Sequence, residues 1–410
     1  MTKAKGVLRS TANVRNMWIA QNISVIGDYL TYVALVGLVK DATNSTFLVS
    51  LVFAAYVLPS FFFSPIAGPI VDKFDRRKTI IVISLMQASC GIGFIFANES
   101  RIWLAFLAQL VISSLSVAIL PAFGSALPNL VRSDEELRQA NVLFGSSWGA
   151  MVFIGSALGG LVSATFGRTA TFSADIVTFL VCASLVGLIK APMQERRSSE
   201  NREPIRPVKD MQEAISYAKK NEVILALMAS RLTFAVGAGA VSQLAVLAID
   251  AFGTGDGGSG LLLAARGVGS AIGPFLLMRY ARKNMSRLLL LCGMTGLAWG
   301  LMYLAASVSS SLWLAVIFIG LAHIGGGAQW TMATYGLQIS TPDYIRGRIL
   351  AGDMGLAMLM TGSSSIVTGL LGEIFPIRIA IAIVASIACV ASLVYLVATL
   401  GIRKRLIDGK

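Results

Sequence analysis

The stretch Gly68-Pro-Ile-Val-Asp-Lys-Phe-Asp-Arg-Arg-Lys78 places a basic turn between two long apolar segments. These segments, residues 46–71 and 79–97, are each close to the ~20 residues that an α-helix needs to cross a ~30 Å hydrocarbon core. The basic residues of the turn suit the lipid headgroups at the end of such a crossing. The stretch therefore predicts two antiparallel membrane-spanning helices joined by a tight turn.

Apolar segments of similar length recur along all 410 residues. Hydrophobic residues make up 55% of the chain and charged residues only 13%, whereas a soluble domain has about 25% charged residues. This composition excludes an ordinary water-facing surface. The predicted spans are residues 16–39, 46–71, 79–97, 102–124, 140–165, 170–189, 223–249, 260–280, 288–306, 312–335, 349–372 and 376–401. We therefore expect an all-α membrane protein with twelve transmembrane helices.

The basic residues are distributed unevenly between the two sides of the predicted spans. Lys and Arg accumulate in cytoplasmic loops, and most of the 34 Lys and Arg residues lie on the side of both termini. The exceptions are Lys40, Arg101, Arg168 and Arg378 on the opposite side, and Arg231 and Arg266 within spans. We therefore expect a multi-pass protein of the cell membrane, plasma or inner, with both termini cytoplasmic. The bias also explains the net charge of +13 without a nucleic-acid partner, because basic loops face anionic lipid headgroups.

A polar stretch between the sixth and seventh spans divides the chain into halves. It predicts a six-helix bundle over residues 1–190, a cytoplasmic linker over 191–221 and a second six-helix bundle over 222–410. Within the linker, the run from Val208 to Lys220 has apolar residues at helical spacing. This run predicts either a helix along the membrane surface or a plain connector.

Local signals recur at matching places in the two halves. Gly68-Pro69 closes the second span and Gly273-Pro274 lies near the end of the eighth, and basic residues follow each pair. Ser133-Asp-Glu-Glu136 fits the capping box that starts a helix, and Thr341-Pro342 predicts a capped helix start at the matching place of the second half. Internal repeats of this kind are expected in transporters. We therefore expect two pseudo-symmetric six-helix bundles.

The stretch from Gly68 to Lys78 resembles the loop motif of the major facilitator superfamily, G-x-x-x-D-R/K-x-G-R-R/K. Gly27-Asp28 in the first span and Asp343-x-x-Arg346-Gly347-Arg348 before the eleventh are similar to the branch that contains macrolide and enterobactin exporters. The resemblance implies the major facilitator fold over essentially the whole chain. It also implies a cytoplasmic gate formed by Gly68, Asp72, Lys73, Arg76, Arg77, Arg346 and Arg348.

Two positions depart from the family patterns. Asp75 replaces the second glycine of the loop motif, where we expect a left-handed backbone that Asp tolerates. In the fifth span, Gly155-Ser-Ala-Leu-Gly-Gly160 resembles the antiporter motif G-P-x-L-G-G with serine in place of proline. The same small residues permit close helix packing in any membrane protein, so an antiporter role and tight packing both stay open. The candidates for contact between the bundles are Gly155, Gly159, Gly160, Arg266 and Asp353.

Ionisable residues at membrane depth are costly and are therefore functional candidates. Asp28 lies about 18 Å into the first span at 1.5 Å per residue, and its carboxyl is the candidate for proton coupling, with a structural role as the alternative. Arg231 and His323 are candidates for the substrate cavity. Arg231 could contact substrate or Asp28, whereas His323 could relay protons or hold a local hydrogen bond. Asp175 in the sixth span is expected to be structural.

The sequence contains no phosphate-binding loop, no H-E-x-x-H motif and a single histidine, which argues against ATP hydrolysis and against common hydrolase sites. We expect no cofactor and no metal. The prediction is a secondary active transporter, not an enzyme, that exports amphipathic drug-like or siderophore-like molecules in exchange for protons. An importer or facilitator of another solute is the alternative, and a membrane enzyme or non-transporting scaffold is a remote one. Expected partners are a small-molecule substrate, protons and membrane lipids, and the expected state is a monomer.

Overall fold

The computed structural model describes residues 12–194, 207–281 and 284–408. Within these ranges some side chains fall outside the description, namely those at 68–69, 72–73, 134–135, 138–139, 141–142, 145–146, 207–211, 214 and 343–344. Three members of the predicted cytoplasmic gate are affected. The side chains of Asp72 and Lys73 and the surroundings of Gly68 lie outside the described residues.

The described residues form long helices joined by short turns. The first half contains α1 (Ala12–Thr43), α2 (Thr46–Lys73), α3 (Arg76–Ile95), α4 (Trp103–Ala126), α5 (Asp134–Phe166) and α6 (Arg168–Gly187). The connecting helix is α7 (Pro207–Lys219). The second half contains α8 (Glu222–Ala235), α9 (Gly255–Ala281), α10 (Met285–Ser307), α11 (Leu312–Ser340), α12 (Asp343–Ile374), α13 (Ile377–Ala398) and α14 (Leu400–Asp408).

Twelve of these helical segments are long and apolar enough to cross a membrane. They form the two six-helix bundles of the major facilitator fold, which confirms the predicted fold class. The first bundle consists of α1–α6, and the second consists of the helices from α8 onward. Between the bundles, α5 packs along α9 and α2 packs along α12.

Hydrogen bonds at the helix starts test the predicted caps. Ser133 Oγ accepts a hydrogen bond from the Glu136 N–H at 3.2 Å, and Glu136 Oε2 accepts one from the Arg132 N–H at 2.9 Å, so this end of α5 is capped as expected. The second expected cap is wrong. Pro342 precedes the first residue of α12, and the buried Thr341 hydroxyl has no hydrogen-bond partner in the described part of the chain.

The expectation of a left-handed backbone at Asp75 is also wrong. Its φ and ψ angles are −60° and 120°, which is an extended conformation. Its carboxylate accepts a hydrogen bond from the Lys78 N–H at 2.9 Å and caps the start of α3. A carboxylate at a helix N-terminus is favoured because it accepts the free N–H groups there. Asp75 thus replaces the conformational freedom of glycine with a helix cap.

The seventh span is irregular beyond α8. Regular α-helix ends at Ala235, and short turns at Gly239–Ser242 and Leu244–Val246 lead into a π-helical turn at Leu247–Ala251. Side-chain contacts explain the break. A Cβ at Gly239 would lie 2.1 Å from Thr368 Oγ1, and Ser364 Oγ accepts a hydrogen bond from the Gly239 N–H at 3.0 Å. The hydroxyl therefore supplies a partner that a regular helix would have supplied.

Candidate functional site

Charged residues link the two bundles at the distal face, by which we mean the face opposite to the one that carries both termini. Lys40 at the end of α1 forms an ion pair with Asp250, with Nζ and Oδ2 2.8 Å apart. Arg168 at the start of α6 forms a second pair with Asp256 of α9, with Nε and Oδ2 2.9 Å apart. Each pair joins a cation of the first bundle to an acid of the second.

The Arg168–Asp256 pair has further support. Arg168 Nη2 donates to Asp256 Oδ1 at 3.0 Å, which makes the contact bidentate, and Ser163 Oγ also donates to the Asp256 carboxylate. Arg168 reaches Asp41 as well, at 2.8 Å within its own bundle. A Cβ at Gly37 would lie 2.0 Å from Asp256 Oδ1, so only glycine at this position of α1 leaves room for the pair.

In a third link at the distal face, one carboxylate accepts hydrogen bonds from several donors. Glu373 Oε1, near the end of α12, accepts hydrogen bonds from Ser45 Oγ at 2.7 Å, Thr46 Oγ1 at 3.1 Å and the Phe47 N–H at 2.8 Å. These donors lie at the start of α2, where the helix dipole favours a negative charge. Glu373 thus caps a helix of the opposite bundle.

No motif in the sequence marks the five residues of these links as functional candidates, namely Lys40, Arg168, Asp250, Asp256 and Glu373. Charged residues are rare in the distal turns, and that rarity is the signal that could have selected them. Their pairing depends on how the two bundles dock.

In the first bundle, two acids lie close together between α1 and α6. Asp175 is buried, and its carboxylate accepts hydrogen bonds from Thr31 Oγ1 at 2.7 Å and Thr178 Oγ1 at 3.1 Å. Asp28 is only partly buried and interacts electrostatically with Asp175. No hydrogen bond to the Asp28 carboxylate is formed by the described residues. Asp175 therefore has local hydrogen-bond partners, while the Asp28 carboxylate has none among the described residues.

In the second bundle, the buried charges are paired. Arg231 Nη1 lies 2.9 Å from Asp353 Oδ2, and both side chains are only 2% exposed. Arg231 also donates to Thr334 Oγ1 at 2.6 Å and lies over the Trp330 ring, with 4.2 Å from Cζ to the ring centre. The structure thus places Arg231 and Asp353 together inside the second bundle, rather than Arg231 beside Asp28.

The predicted site residue His323 is buried within the second bundle. Its Nε2 lies 2.9 Å from the Tyr303 hydroxyl, and its Nδ1 lies 3.5 Å from Ser270 Oγ. The rings of Trp299 and Phe234 pack edge-on against it. Of the two roles considered for His323, proton relay and local hydrogen bonding, this geometry corresponds to local hydrogen bonding.

Arg266 of α9 lies at the junction of the two bundles. Its guanidinium carbon is 5.9 Å from the centre of the Trp148 ring, which belongs to α5. The guanidinium also interacts electrostatically with the Tyr29 side chain of α1. Tyr29 in turn packs against Trp148 and against Tyr56 of α2, with ring centres 6.3 and 6.1 Å apart. Three helices of the first bundle thus surround one cation of the second.

The small residues of the fifth span have different neighbours. Cβ atoms placed at Gly155 and Gly159 would meet Ile26 and Leu30 of α1, within the same bundle. A Cβ at Gly160 would lie 3.0 Å from the Cα atom of Gly260 in the other bundle. Of these three glycines, Gly160 contacts the opposite bundle.

At the face that carries the termini, the described contacts of the predicted gate residues lie near the helix ends. Arg76 donates to the Ser125 carbonyl at 2.7 Å, and Arg77 donates to the Ala191 carbonyl at 2.6 Å. Arg346 Nε donates to the Thr341 carbonyl at 3.1 Å, and Arg348 pairs with Glu213 of α7. Contact of this group with Asp72 stays a prediction.

The sequence of the chain matches the model of a known family over residues 7–407, described as transmembrane secretion effector. The enterobactin exporter EntS of Shigella boydii is 27% identical over 386 residues, with 88% of each chain covered. BacE of Bacillus amyloliquefaciens, which is named for the export of bacilysin, is 25% identical over 340 residues, covering 83% of this chain and 84% of BacE.

Solved structures share the fold at low sequence identity. A peptide transporter solved in complex with alafosfalin has a TM-score of 0.73 at 12% identity, covering 97% of this chain and 96% of that one. A bacterial homologue of the lysosomal transporter Spinster has a TM-score of 0.67 at 15% identity, with 96% of both chains covered. Taken with the family match over nearly the whole chain, these likenesses show that the protein is a transporter of the major facilitator superfamily and belongs to its transmembrane secretion effector family.

Proposed function

We propose that this transporter exports amphipathic small molecules across the cell membrane in exchange for protons, by alternating access. The observation that carries this proposal is the set of polar links between the bundles at the distal face. Exporters of bacilysin, macrolides and enterobactin among the relatives support the outward direction. With the termini in the cytoplasm, as the distribution of basic residues favours, the distal face is the external face.

The chemistry of the distal links suits a reversible closure. Each ion pair has one partner open to water, since Asp250 is 36% and Arg168 25% exposed, and one that is nearly buried, since Lys40 is 5% and Asp256 7% exposed. Water competes for the exposed partner, so such a pair separates at a lower cost than a fully buried one when the bundles rock. A closure made of several such links, together with the Glu373 contacts, holds one state without locking it.

Asp28 is the proposed site of proton coupling. It lies in the first span beside Asp175, and its carboxylate has no hydrogen-bond partner among the described residues that would hold it in one protonation state. A carboxyl that binds a proton in one state and releases it in the other would couple transport to the proton gradient. The gate at the termini, with Asp72 opposite Arg346 and Arg348, is the proposed counterpart of the distal closure.

Accumulation of a panel of amphipathic antibiotics and siderophores, compared in cells with and without the protein, tests the direction. Lower accumulation of at least one compound in expressing cells is the expected result. Higher accumulation would favour the importer alternative, and no difference for any compound would contradict export of these classes. A variant with Asp28→Asn, which lacks the proposed proton carrier, is expressed at equal level and controls for effects of membrane load.

A further inference from the structure

Arg266 differs from Arg231, the buried arginine of the second bundle, in having no acidic partner among the described residues. Arg231 is paired with Asp353 at 2.9 Å. Among the described residues, no acid lies within ion-pair distance of the Arg266 guanidinium, and its buried Nε has no hydrogen-bond partner. A guanidinium at membrane depth is costly unless it is paired, lines a water-filled cavity or meets a ligand.

Aromatic side chains orient this cation. The Trp148 ring centre lies 5.9 Å from the guanidinium carbon, and Tyr29, which packs against Trp148, interacts electrostatically with the same cation. The Trp148 side chain is 46% exposed although it contacts groups from α1 and α9, and Arg266 is itself partly exposed. The guanidinium therefore lies at the edge of open space at the junction of α1, α5 and α9, rather than sealed in a core.

A charge of opposite sign lies near the same rings. Tyr29 and Tyr56 interact electrostatically with both Arg266 and Asp28. The tyrosine pair thus has a cation of the second bundle and an acid of the first bundle as charged neighbours. An arginine fork that is held by aromatic rings but lacks a carboxylate matches the geometry of a planar oxyanion.

We propose that Arg266 binds a carboxylate group of the transported compound, while Tyr29, Tyr56 and Trp148 pack against its apolar part. The inference rests on the proposed function and names the substrate class of the same pathway, namely amphipathic carboxylates. Arg266 belongs to one bundle and the rings belong to the other, so a ligand bound here contacts both moving parts. Substrate binding would then influence the rocking of the bundles directly.

Two dyes that differ only in the carboxylate provide the test, dansyl-phenylalanine and dansyl-phenylalanine amide. Binding to the purified full-length protein in detergent is followed by the increase in dansyl fluorescence. We expect the wild type to bind dansyl-phenylalanine about tenfold or more tightly than the amide, because hydrogen bonds to charged groups are stronger than hydrogen bonds between neutral groups. Arg266→Gln should abolish this preference by weakening the binding of the carboxylate dye alone. Arg266→Lys should keep part of the preference.

Arg279→Gln is the matched control, because it removes an exposed arginine near the end of the same helix, away from the aromatic rings around Arg266. It should retain the full preference. Equal affinity of the wild type for both dyes, or binding of neither, overturns the inference. An equal loss of affinity for both dyes in folded Arg266→Gln and Arg266→Lys also overturns the inference, because that result assigns Arg266 to packing or to a contact with Asp28.

The outcome separates this inference from the proposed function. The binding assay requires neither a gradient nor a direction of transport. Export of compounds in cells without any carboxylate preference in the binding assay would remove the inference and leave the proposed function standing. A clear carboxylate preference without export in cells would support the binding site and contradict the proposed function.

Discussion

The Arg231–Asp353 pair at the centre of the molecule lies within one bundle, whereas the Lys40–Asp250 and Arg168–Asp256 pairs at the distal face join the two bundles. Arg231 and Asp353 are both nearly inaccessible and belong to one bundle. Arg168 and Asp256 belong to different bundles, and Arg168 is 25% exposed while Asp256 is 7% exposed. A pair in a dry core is expensive to separate, while a pair with one partner open to water is less expensive to separate. The position of each pair therefore suits its role, which is stability at the centre and reversible docking at the distal face.

The largest effect is expected from breaking the central pair. Arg231→Met leaves Asp353 buried without its cation, and removing one partner of a buried ion pair costs about 3–5 kcal/mol. The measurement is thermal unfolding of the purified protein in detergent, together with its level in the membrane. Arg231→Met with Asp353→Met should recover most of the loss. If the single variant is as stable as the wild type, the pair does not stabilise the second bundle.

The next largest effect is expected at the two acids of the first bundle, Asp28 and Asp175, whose roles can be told apart by substitution. Asp28→Asn removes the proposed proton carrier, so substrate uptake into everted vesicles should no longer respond to an imposed pH gradient. Asp175→Asn should keep the response, because Thr31 and Thr178 can hold an amide in the same place. Membrane levels of both variants are matched to the wild type first. A response that survives in Asp28→Asn and vanishes in Asp175→Asn would exchange the two roles.

At the distal face, Asp256→Asn should weaken docking without unfolding the protein. Asp256 is nearly buried and Arg168 is 25% exposed, so the loss should exceed the about 1 kcal/mol of an exposed pair and stay below the about 3–5 kcal/mol of a fully buried one. A loss of about 1 kcal/mol alone would shift the population of open and closed states about fivefold. A cysteine at Ser50, which is buried against α12, reports opening through its rate of reaction with a membrane-impermeant thiol reagent. The four native cysteines are replaced by serine in this background.

Asp41→Asn is the matched control for this prediction, because Asp41 pairs with the same Arg168 but belongs to the same bundle. Its effect on the Ser50→Cys reaction rate should be small. Equal rates in the Asp256 and Asp41 variants would show that the Arg168–Asp256 pair does not hold the bundles together.

The smallest effect is expected at Glu373. Glu373→Gln keeps an oxygen that can accept from Ser45, Thr46 and the Phe47 N–H, and it loses only the charge interaction with the start of α2. That interaction is worth about 0.3–1 kcal/mol at an exposed site. The reaction rate at Ser50→Cys should therefore rise less than in Asp256→Asn. A larger rise than in Asp256→Asn would make Glu373 the main distal link.

The path of the seventh span shows why sequence patterns reach only part of the fold. Residues 223–249 have the hydropathy of a single span, and the helix starts there at Glu222 as expected. The break after Ala235 was not predicted, because apolar residues continue through it without a proline. It follows from contacts of Gly237 and Gly239 with Trp299, Ser364 and Thr368, all distant in sequence.

The sequence by itself determined that the chain forms twelve membrane-spanning helices in two related halves, and it identified the superfamily. Helix formation in a bilayer depends on local hydropathy and length, because each helix satisfies its own backbone hydrogen bonds. Tertiary structure alone decided the partner of each charge. Arg231 lies beside Asp353, Asp175 between two threonines, and Arg266 among aromatic rings. Electrostatic interactions depend on distances between helices that are far apart in sequence, and those distances are set by packing.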